Sequence, residues 1–115
     1  MVENDETKDV CTHEGCWVEI FEDEDFSTDD AHTKIIGPAE YSNLKNINNK
    51  DWGDQIDSLI VGPYAHVQAW EDEDYKDTMI EFGPDTRHSN LNELNFGDDI
   101  DSIKIRCTKC NATTR

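Results

Sequence analysis

Two short segments of this 115-residue chain carry carboxylates at the same spacing. Residues 53–58 read Gly-Asp-Gln-Ile-Asp-Ser, and residues 97–102 read Gly-Asp-Asp-Ile-Asp-Ser. In a turning backbone, two aspartates three residues apart and the carbonyl groups between them can converge on one point. Ca²⁺ takes about six to eight such oxygens in irregular geometry, whereas Mg²⁺ demands a near-octahedral shell. The spacing therefore favours a calcium site over a magnesium site.

A turn without any metal is the alternative for either segment alone, because aspartate side chains often cap backbone amides in turns. The duplication and the shortage of basic residues to neutralise these carboxylates favour metal binding. An EF-hand is a poor alternative at Asp23-Glu24-Asp25. Thr28 stands where that loop needs glycine, and Lys34 stands where it needs a bidentate glutamate.

The acidic segments belong to a longer internal repeat. Four blocks recur in the same order, namely residues 21–26 with 70–75, 36–38 with 82–84, 41–44 with 88–91, and 52–59 with 96–103. The first block is an aromatic residue, four acidic residues and a second aromatic in both copies. Recurrence of four ordered blocks indicates a duplicated unit.

Each copy of the repeat is typical of β structure. Apolar residues alternate with polar or small ones over 17–21, 66–70 and 102–106, and Gly-Pro pairs follow at positions 37, 62 and 83. We predict an all-β fold in which two Greek-key motifs form a two-sheet antiparallel β-sandwich, with about four strands from each repeat. A short helical turn is expected near residues 42–49 or 89–94.

The apolar clusters also suggest the domain boundaries. We expect a flexible acidic tail over residues 1–15, one domain over 16–106 with Greek keys at about 16–61 and 65–106, and a cysteine-containing tail over 107–115. A chain of this length suits one compact core.

The charge of the chain restricts its partners. There are 27 acidic and 10 basic residues, which give a formal net charge of −17. Such an excess repels nucleic acid phosphates and anionic membrane surfaces, and no stretch approaches the ~20 apolar residues that span a bilayer. We therefore expect calcium ions as partners, neither nucleic acid binding nor membrane insertion, and a monomer or weak dimer. No protein partner is indicated.

Four cysteines flank the predicted domain, at Cys11, Cys16, Cys107 and Cys110. Two disulfides, a four-thiolate Zn²⁺ site and free thiols are all compatible with this spacing, and disulfides are the first choice. A bridge from the N-terminal pair to the C-terminal pair would constrain the unfolded chain most. Disulfides and the Asn111-Ala112-Thr113 sequon favour an extracellular over a cytoplasmic location.

The remaining polar residues do not assemble into a catalytic pattern. The four histidines are scattered, and no base is implied next to Ser58 or Ser102, which we interpret as residues that bond the backbone. The chain is predicted not to be an enzyme.

Over about residues 17–105 the sequence resembles the microbial and invertebrate βγ-crystallins. The hairpins Phe21 to Phe26 and Trp70 to Tyr75 resemble the Greek-key signature of that family. The segments 53–58 and 97–102 resemble its calcium motif, which has two Asn or Asp residues, two variable residues, Ser or Thr, and Ser. The resemblance implies a γ-crystallin-like sandwich that binds two Ca²⁺ ions at one end.

The resemblance also implies a ligand set for these two ions. It comprises the side chains of Asp54, Asp57, Asp98 and Asp101 and the main-chain oxygens of Glu22, Gln55, Glu71 and Asp99. Across the pseudo-twofold we expect Asp54 to pair with Asp101, and Asp98 with Asp57. Calcium would then stabilise the fold. The alternative is a secreted interaction, toxin or inhibitor module in which calcium is only structural.

Three departures from the family pattern affect these sites. Gly53 and Gly97 replace the first Asn or Asp of the motif, and Asp57 and Asp101 replace its neutral hydroxyl residue. Each site would therefore hold two carboxylates, which attract calcium but repel each other when the ion is absent. The third departure lies two residues after the second aromatic, where Thr28 and Asp77 replace the family's glycine and put the hairpin geometry in question.

Overall fold

A computed structural model describes residues 15–96 and 99–108, which form a β-sandwich; Gly97 and Asp98 lie outside the described residues. Its strands are β1 (Trp17–Phe21), β2 (His32–Ile36), β3 (Ala39–Tyr41), β4 (Ser58–Val61), β5 (Ala65–Asp72), β6 (Lys76–Phe82), β7 (Arg87–His88) and β8 (Ser102–Cys107). Among these residues, no helical segment is long and apolar enough to cross a bilayer. The predicted all-β class is confirmed.

The two repeats exchange strands. The first sheet has the order β2-β1-β4-β7 and the second β3-β8-β5-β6, with antiparallel pairing throughout. The third strand of each repeat thus joins the sheet built mainly by the other repeat, since β3 pairs with β8 and β7 pairs with β4. The predicted two-sheet antiparallel sandwich of two Greek keys, with about four strands from each repeat, is confirmed.

The alternating pattern of the strands places the core between the sheets. In β1, Val18 and Ile20 are fully buried whereas Trp17 and Glu19 are half-buried, as a period of two requires. In β8, Ile103 and Ile105 face the same core. Trp52 and Phe96, which precede the two aspartate segments, are buried as well. The core therefore anchors both ends of each candidate metal loop.

The two acidic hairpins have nearly the same backbone and each reaches the other repeat. Asp25 and Asp74 both adopt left-handed φ, at 59° and 60°. The Asp25 amide donates to the Ser89 carbonyl oxygen at 2.8 Å, and the Asp74 amide donates to that of Ser42 at 2.7 Å. This reciprocity is the pseudo-twofold expected from the duplicated sequence.

The expected helical turn forms only in the second repeat. There, Leu91–Leu94 is a 3-10 helix, and the Asn90 side chain accepts a hydrogen bond from the Asn92 amide. In the first repeat, Ile47 and Lys50 form a β-bridge instead. Asn48 and Asn49 between them have φ of 52° and 71°, the conformation of a tight hairpin turn that asparagine tolerates.

A disulfide joins Cys16, just before β1, to Cys107, at the end of β8. It therefore links the two sheets. Gly37 allows this arrangement, because a Cβ there would lie 2.7 Å from a methyl carbon of Ile105 and 2.8 Å from the Cys16 sulfur. A disulfide, the first choice from the sequence, is confirmed for Cys16 and Cys107, which come from different pairs, while Cys11 and Cys110 lie outside the described residues. This bridge uses two of the four sulfurs that a four-thiolate zinc site would need.

The two hairpins differ where the family has glycine. Asp77 has a left-handed φ of 71°, and its carboxylate accepts a hydrogen bond from the Thr78 amide at 3.0 Å. Thr28 is not among the described residues with positive φ. A local side-chain hydrogen bond thus lets aspartate occupy a conformation that most L-residues avoid.

Replacing Asp77 with glycine is expected to raise the free energy of unfolding by about 0.5 kcal/mol, because relief of left-handed strain exceeds the entropic cost of glycine. Thr28→Gly is the matched control and should lower stability, since no strain is relieved there. Urea unfolding of both variants checks this. Equal effects of the two substitutions would contradict the assignment.

Candidate metal site

The aspartate loops of the two repeats meet at one end of the sandwich. The amide of Asp54 donates to the carbonyl oxygen of Ile100 at 3.1 Å, which joins the first loop to the second. The carboxyl groups of Asp54 and Asp101 lie close enough to interact electrostatically and to share a hydrogen bond when one of them is protonated. The structure thus brings together the Asp54 and Asp101 carboxylates, one from each repeat.

Gly53 makes room for this pair. A Cβ at residue 53 would lie 3.1 Å from Oδ1 of Asp101 and 3.2 Å from Oδ1 of Asp51. A side chain at this position would therefore crowd the Asp101 carboxylate. The two departures from the family motif are compatible with each other, because glycine at position 53 lets the Asp101 carboxylate keep its place without a shift of a few tenths of an ångström. The equivalent contact of Gly97 lies outside the described residues.

The Asp101 carboxyl is held in an unfavourable environment for a charge. Partial burial, followed by the charge of Asp54 and the hydrogen bond to it, raises the pKa of Asp101 to about 6, and Glu73 and Asp72 add further repulsion. Without a cation the pair therefore retains a proton in mildly acidic solution. A divalent cation between the two carboxylates would displace that proton and remove the repulsion.

The hairpin of the second repeat lies beside this pair. The Asp101 amide donates to the carbonyl oxygen of Trp70 at 2.9 Å, so Glu71 and Asp72 follow directly at the edge of the site. Desolvation, then the charges of Asp77, Asp99 and Asp72, raises the pKa of Glu71. Oxygen-bearing groups from both repeats therefore surround one small region.

In the second predicted site, the backbone contacts of Asp57 match those of Asp101. Its amide donates to the carbonyl oxygen of Phe21 at 2.9 Å, which is the counterpart of the bond from Asp101 to Trp70. The Asp57 carbonyl oxygen accepts from the Leu91 amide at 2.9 Å. Asp98, the expected partner of Asp57, lies outside the described residues. This second site is therefore described on the side of the first repeat only.

The residues whose carbonyl oxygens are predicted to bind calcium occupy equivalent loop positions. The amides of Gln55 and Asp99 donate to the carbonyl oxygens of Trp52 and Phe96, each at 3.1 Å. In the first hairpin, the Glu22 amide donates to the Ala31 carbonyl oxygen at 3.0 Å. Within the part of the chain that the structure describes, no three His, Cys, Asp or Glu side chains cluster as a metal site. A site that takes two carboxylates and completes its shell with carbonyl oxygens would not give such a cluster.

Two residues near the loops were not predicted from the sequence. Asp51 accepts a hydrogen bond from the Gly53 amide at 2.9 Å and so shapes the turn before Asp54. Lys50 pairs with the Glu22 carboxylate at 2.6 Å and lies 4.9 Å above the Trp52 ring. The sequence signal for Asp51 was its position two residues before a glycine, which is typical of an Asx turn.

The serines that end each motif hold the hairpins in place. Ser58 donates to the carbonyl oxygen of Asp23 at 2.5 Å and accepts from the Phe26 amide at 3.1 Å. Ser102 makes the same two contacts in the second repeat, at 2.6 Å to Asp72 and 3.1 Å from Tyr75. Both serines are fully buried. The interpretation that they bond the backbone is confirmed, and their hydroxyl groups are not free to act as nucleophiles.

The raised pKa of Asp101 predicts a pH dependence of the calcium-free protein. The folded-state pKa of Asp101, about 6, exceeds the ordinary value of 3.8, so the folded protein favours the protonated carboxyl. Protonated Asp101 therefore stabilises the fold fully below pH 3.8, and this stabilisation is lost as pH rises through 6. We expect a loss on the order of 1 kcal/mol across this window, less than the full shift implies because solvent screens a partly exposed carboxyl. Asp101→Asn should lack this component. Urea unfolding of both proteins across the window checks it, and identical pH profiles would contradict it.

Comparison with known proteins supports the fold. The sequence profile of the family described as Beta/Gamma crystallin matches residues 14–104. No curated protein matches the chain.

Several solved structures share the fold. A structure from work on the evolution of the eye lens βγ-crystallin domain fold is similar at TM-score 0.72 and 17% identity, covering 83% of this chain and 89% of that one. A βγ-crystallin domain from Flavobacterium johnsoniae gives 0.65 and 18%, covering 82% and 98%. A βγ-crystallin from Ciona intestinalis gives 0.61 and 20%, covering 78% and 99%. With the family profile spanning most of the sequence, this chain belongs to the βγ-crystallin family.

Proposed function

We propose that this domain is a non-enzymatic calcium-binding module. Two Ca²⁺ ions bind at the end of the sandwich where the aspartate loops meet. Each ion lies between an aspartate of one repeat and an aspartate of the other. Binding stabilises the fold, because an ion that takes ligands from both repeats resists their separation.

The contact between Asp54 and Asp101 is the observation that carries this proposal. A carboxyl group from each repeat meets here, and partial burial together with the charge of Asp54 raises the pKa of Asp101. A pair of this kind gains from a cation far more than solvated surface aspartates do, since the cation removes repulsion as well as adding attraction. Calcium suits the site better than magnesium because carboxylates and loop carbonyls impose no octahedral geometry.

The second ion would bind between Asp57 and Asp98. The support for it is the repeated motif and the matching backbone contacts of Asp57 and Asp101. The Cys16–Cys107 disulfide favours an oxidising compartment, where calcium is typically abundant enough for weak sites to fill.

Isothermal titration calorimetry tests the proposal. The wild-type protein should bind two Ca²⁺ ions and bind Mg²⁺ at least about tenfold more weakly. Asp54→Asn should remove one of the two binding events, because a neutral amide replaces a carboxylate ligand. Asparagine also tolerates the left-handed φ of 57° at this position, so the loop should be retained.

Asp51→Asn is the matched control. It removes one negative charge from the same loop and keeps an oxygen that can accept the hydrogen bond from the Gly53 amide. Its calcium binding should stay within a few-fold of wild type. Loss of binding in Asp51→Asn equal to that in Asp54→Asn would show that general charge, and not ligation by Asp54, determines affinity.

A further inference from the structure

The disulfide and the aspartate loops lie at opposite ends of the same two strands. Strand β1 begins directly after Cys16 and ends at Phe21, whose carbonyl oxygen accepts from the Asp57 amide. Strand β8 begins at Ser102, next to Asp101, and ends at Cys107. A strand of five or six residues spans about 15–20 Å. The bridge therefore ties the two sheets at the end remote from the loops.

These two strands share no backbone hydrogen bonds, because β1 lies in the first sheet and β8 in the second. Their association depends on side-chain packing between the sheets, where Val18, Ile20, Ile103 and Ile105 are buried. At one end the covalent bridge holds the sheets together. At the other end the hydrogen bond from the Asp54 amide to the Ile100 carbonyl oxygen joins the loops, while the acidic side chains repel one another.

Without calcium the loop end opposes folding. The Asp101 carboxylate faces the like charges of Asp54, Asp72 and Glu73. Ten non-glycine residues in the described part of the chain also adopt positive φ, and Asp54 is one of them. Both features weaken the calcium-free fold, so the bridge at the far end becomes decisive for whether the loops are assembled before calcium arrives.

We propose that the redox state of the Cys16–Cys107 bridge sets the apparent calcium affinity of this domain. This inference rests on the proposed function. In the oxidised protein, calcium binds to loops that are already assembled. After reduction, the calcium-free chain is largely unfolded, and calcium must also drive folding.

The chemistry of the switch is thiol–disulfide exchange. A dithiol reductant cleaves the sulfur–sulfur bond through a mixed disulfide, so that Cys16 and Cys107 each become a thiol while the reductant is oxidised to its own disulfide. Loss of a crosslink between residues 91 apart shifts the folding equilibrium by about a thousandfold in the chain-entropy account. The apparent dissociation constant rises in inverse proportion to the folded fraction.

Calcium titration of three oxidised proteins tests this proposal. These are the wild type, the control Cys11→Ala/Cys110→Ala, which retains the bridge, and a bridge variant in which Cys16→Ala/Cys107→Ala is added to that control so that no other disulfide can close a similar loop. The apparent dissociation constant of the bridge variant should rise at least about tenfold. Its near-ultraviolet circular dichroism should develop together with calcium occupancy. The control should stay within about twofold of wild type.

A stabilising osmolyte distinguishes affinity lost through unfolding from affinity lost through damage to the calcium site. Sucrose favours the folded state without binding the loops, so it should return the bridge variant to nearly wild-type affinity. If the bridge variant remains unfolded in millimolar calcium, the titration is carried out in sucrose. Wild-type affinity in sucrose supports the proposal, and absence of binding overturns it.

Two further results would overturn the inference in different ways. If oxidised wild type binds calcium and the bridge variant binds equally well without sucrose, the redox coupling is wrong while the proposed function stands. If oxidised wild type does not bind calcium, the proposed function itself fails.

Discussion

Millimolar calcium is expected to raise the melting temperature of this domain by roughly 20 °C. An ion that binds only the folded state stabilises it by about 2.7 kcal/mol at a hundredfold excess over its dissociation constant, and the domain has two proposed sites. In domains near this size, each kcal/mol moves the melting temperature by about 4 °C. The shift should be large because calcium also removes the repulsion between Asp54 and Asp101.

Differential scanning calorimetry in EDTA and in excess calcium measures this shift. The double variant Asp54→Asn/Asp98→Asn should lose most of it, since each proposed site would lack one of its two carboxylates. The same variant should be more stable than wild type in EDTA, because repulsion in the empty sites is reduced. Equal melting temperatures of wild type in the two conditions would refute calcium stabilisation.

Loss of the Cys16–Cys107 bridge is expected to lower the free energy of unfolding by about 4–5 kcal/mol. This magnitude follows from the separation of 91 residues between the cysteines, which makes the closed loop in the unfolded chain large. The bridge variant, in which all four cysteines are alanine, should melt roughly 15–20 °C below the control Cys11→Ala/Cys110→Ala when both are measured in saturating calcium. Calcium is included so that the variant starts from the folded state.

A dithiol reductant provides the control for this measurement. It should lower the melting temperature of wild type to that of the bridge variant and leave the bridge variant itself nearly unchanged. If wild type and the variant melt together under oxidising conditions, the bridge constrains the unfolded chain far less than its loop length predicts.

Much of the fold could be predicted because the pattern and the duplication agree. The alternation in residues 17–21 predicted β1 with the bounds that the structure gives it. The duplicated Ser58 and Ser102 were correctly interpreted as backbone-bonding residues, and the structure places them in equivalent contacts. The alternation of apolar and polar residues and the duplication can both be recognised in the sequence alone.

The exchange of β3 and β7 between sheets could be expected only in outline. Ala39–Tyr41 and Arg87–His88 are too short for their pattern to indicate a sheet, and only pairing with β8 and β4 assigns them. The different backbone conformations of Thr28 and Asp77 could not be predicted either, because both residues replace the same glycine of the family pattern. The family's glycine position is left-handed only in the second hairpin, where Asp77 bonds the next amide.

The candidate site, like the fold, could be predicted only in part from the sequence. The repeated motif and its resemblance to a calcium motif indicated that Asp54 and Asp101 should meet. The role of Gly53 could not be predicted, because it depends on the Asp101 side chain approaching from the other repeat. Likewise, four cysteines allow three pairings into two disulfides, and only the approach of β1 and β8 selects Cys16 with Cys107.

A crystal structure at saturating calcium tests the central claim most directly. The account predicts an ion between the carboxylates of Asp54 and Asp101, with further oxygen ligands that include the Glu71 carbonyl, and a second ion between Asp57 and Asp98. Metal–oxygen distances should be about 2.3–2.6 Å. Loops that remain in contact with no ion between the two carboxylates, or ions bound by residues of one repeat alone, would contradict it.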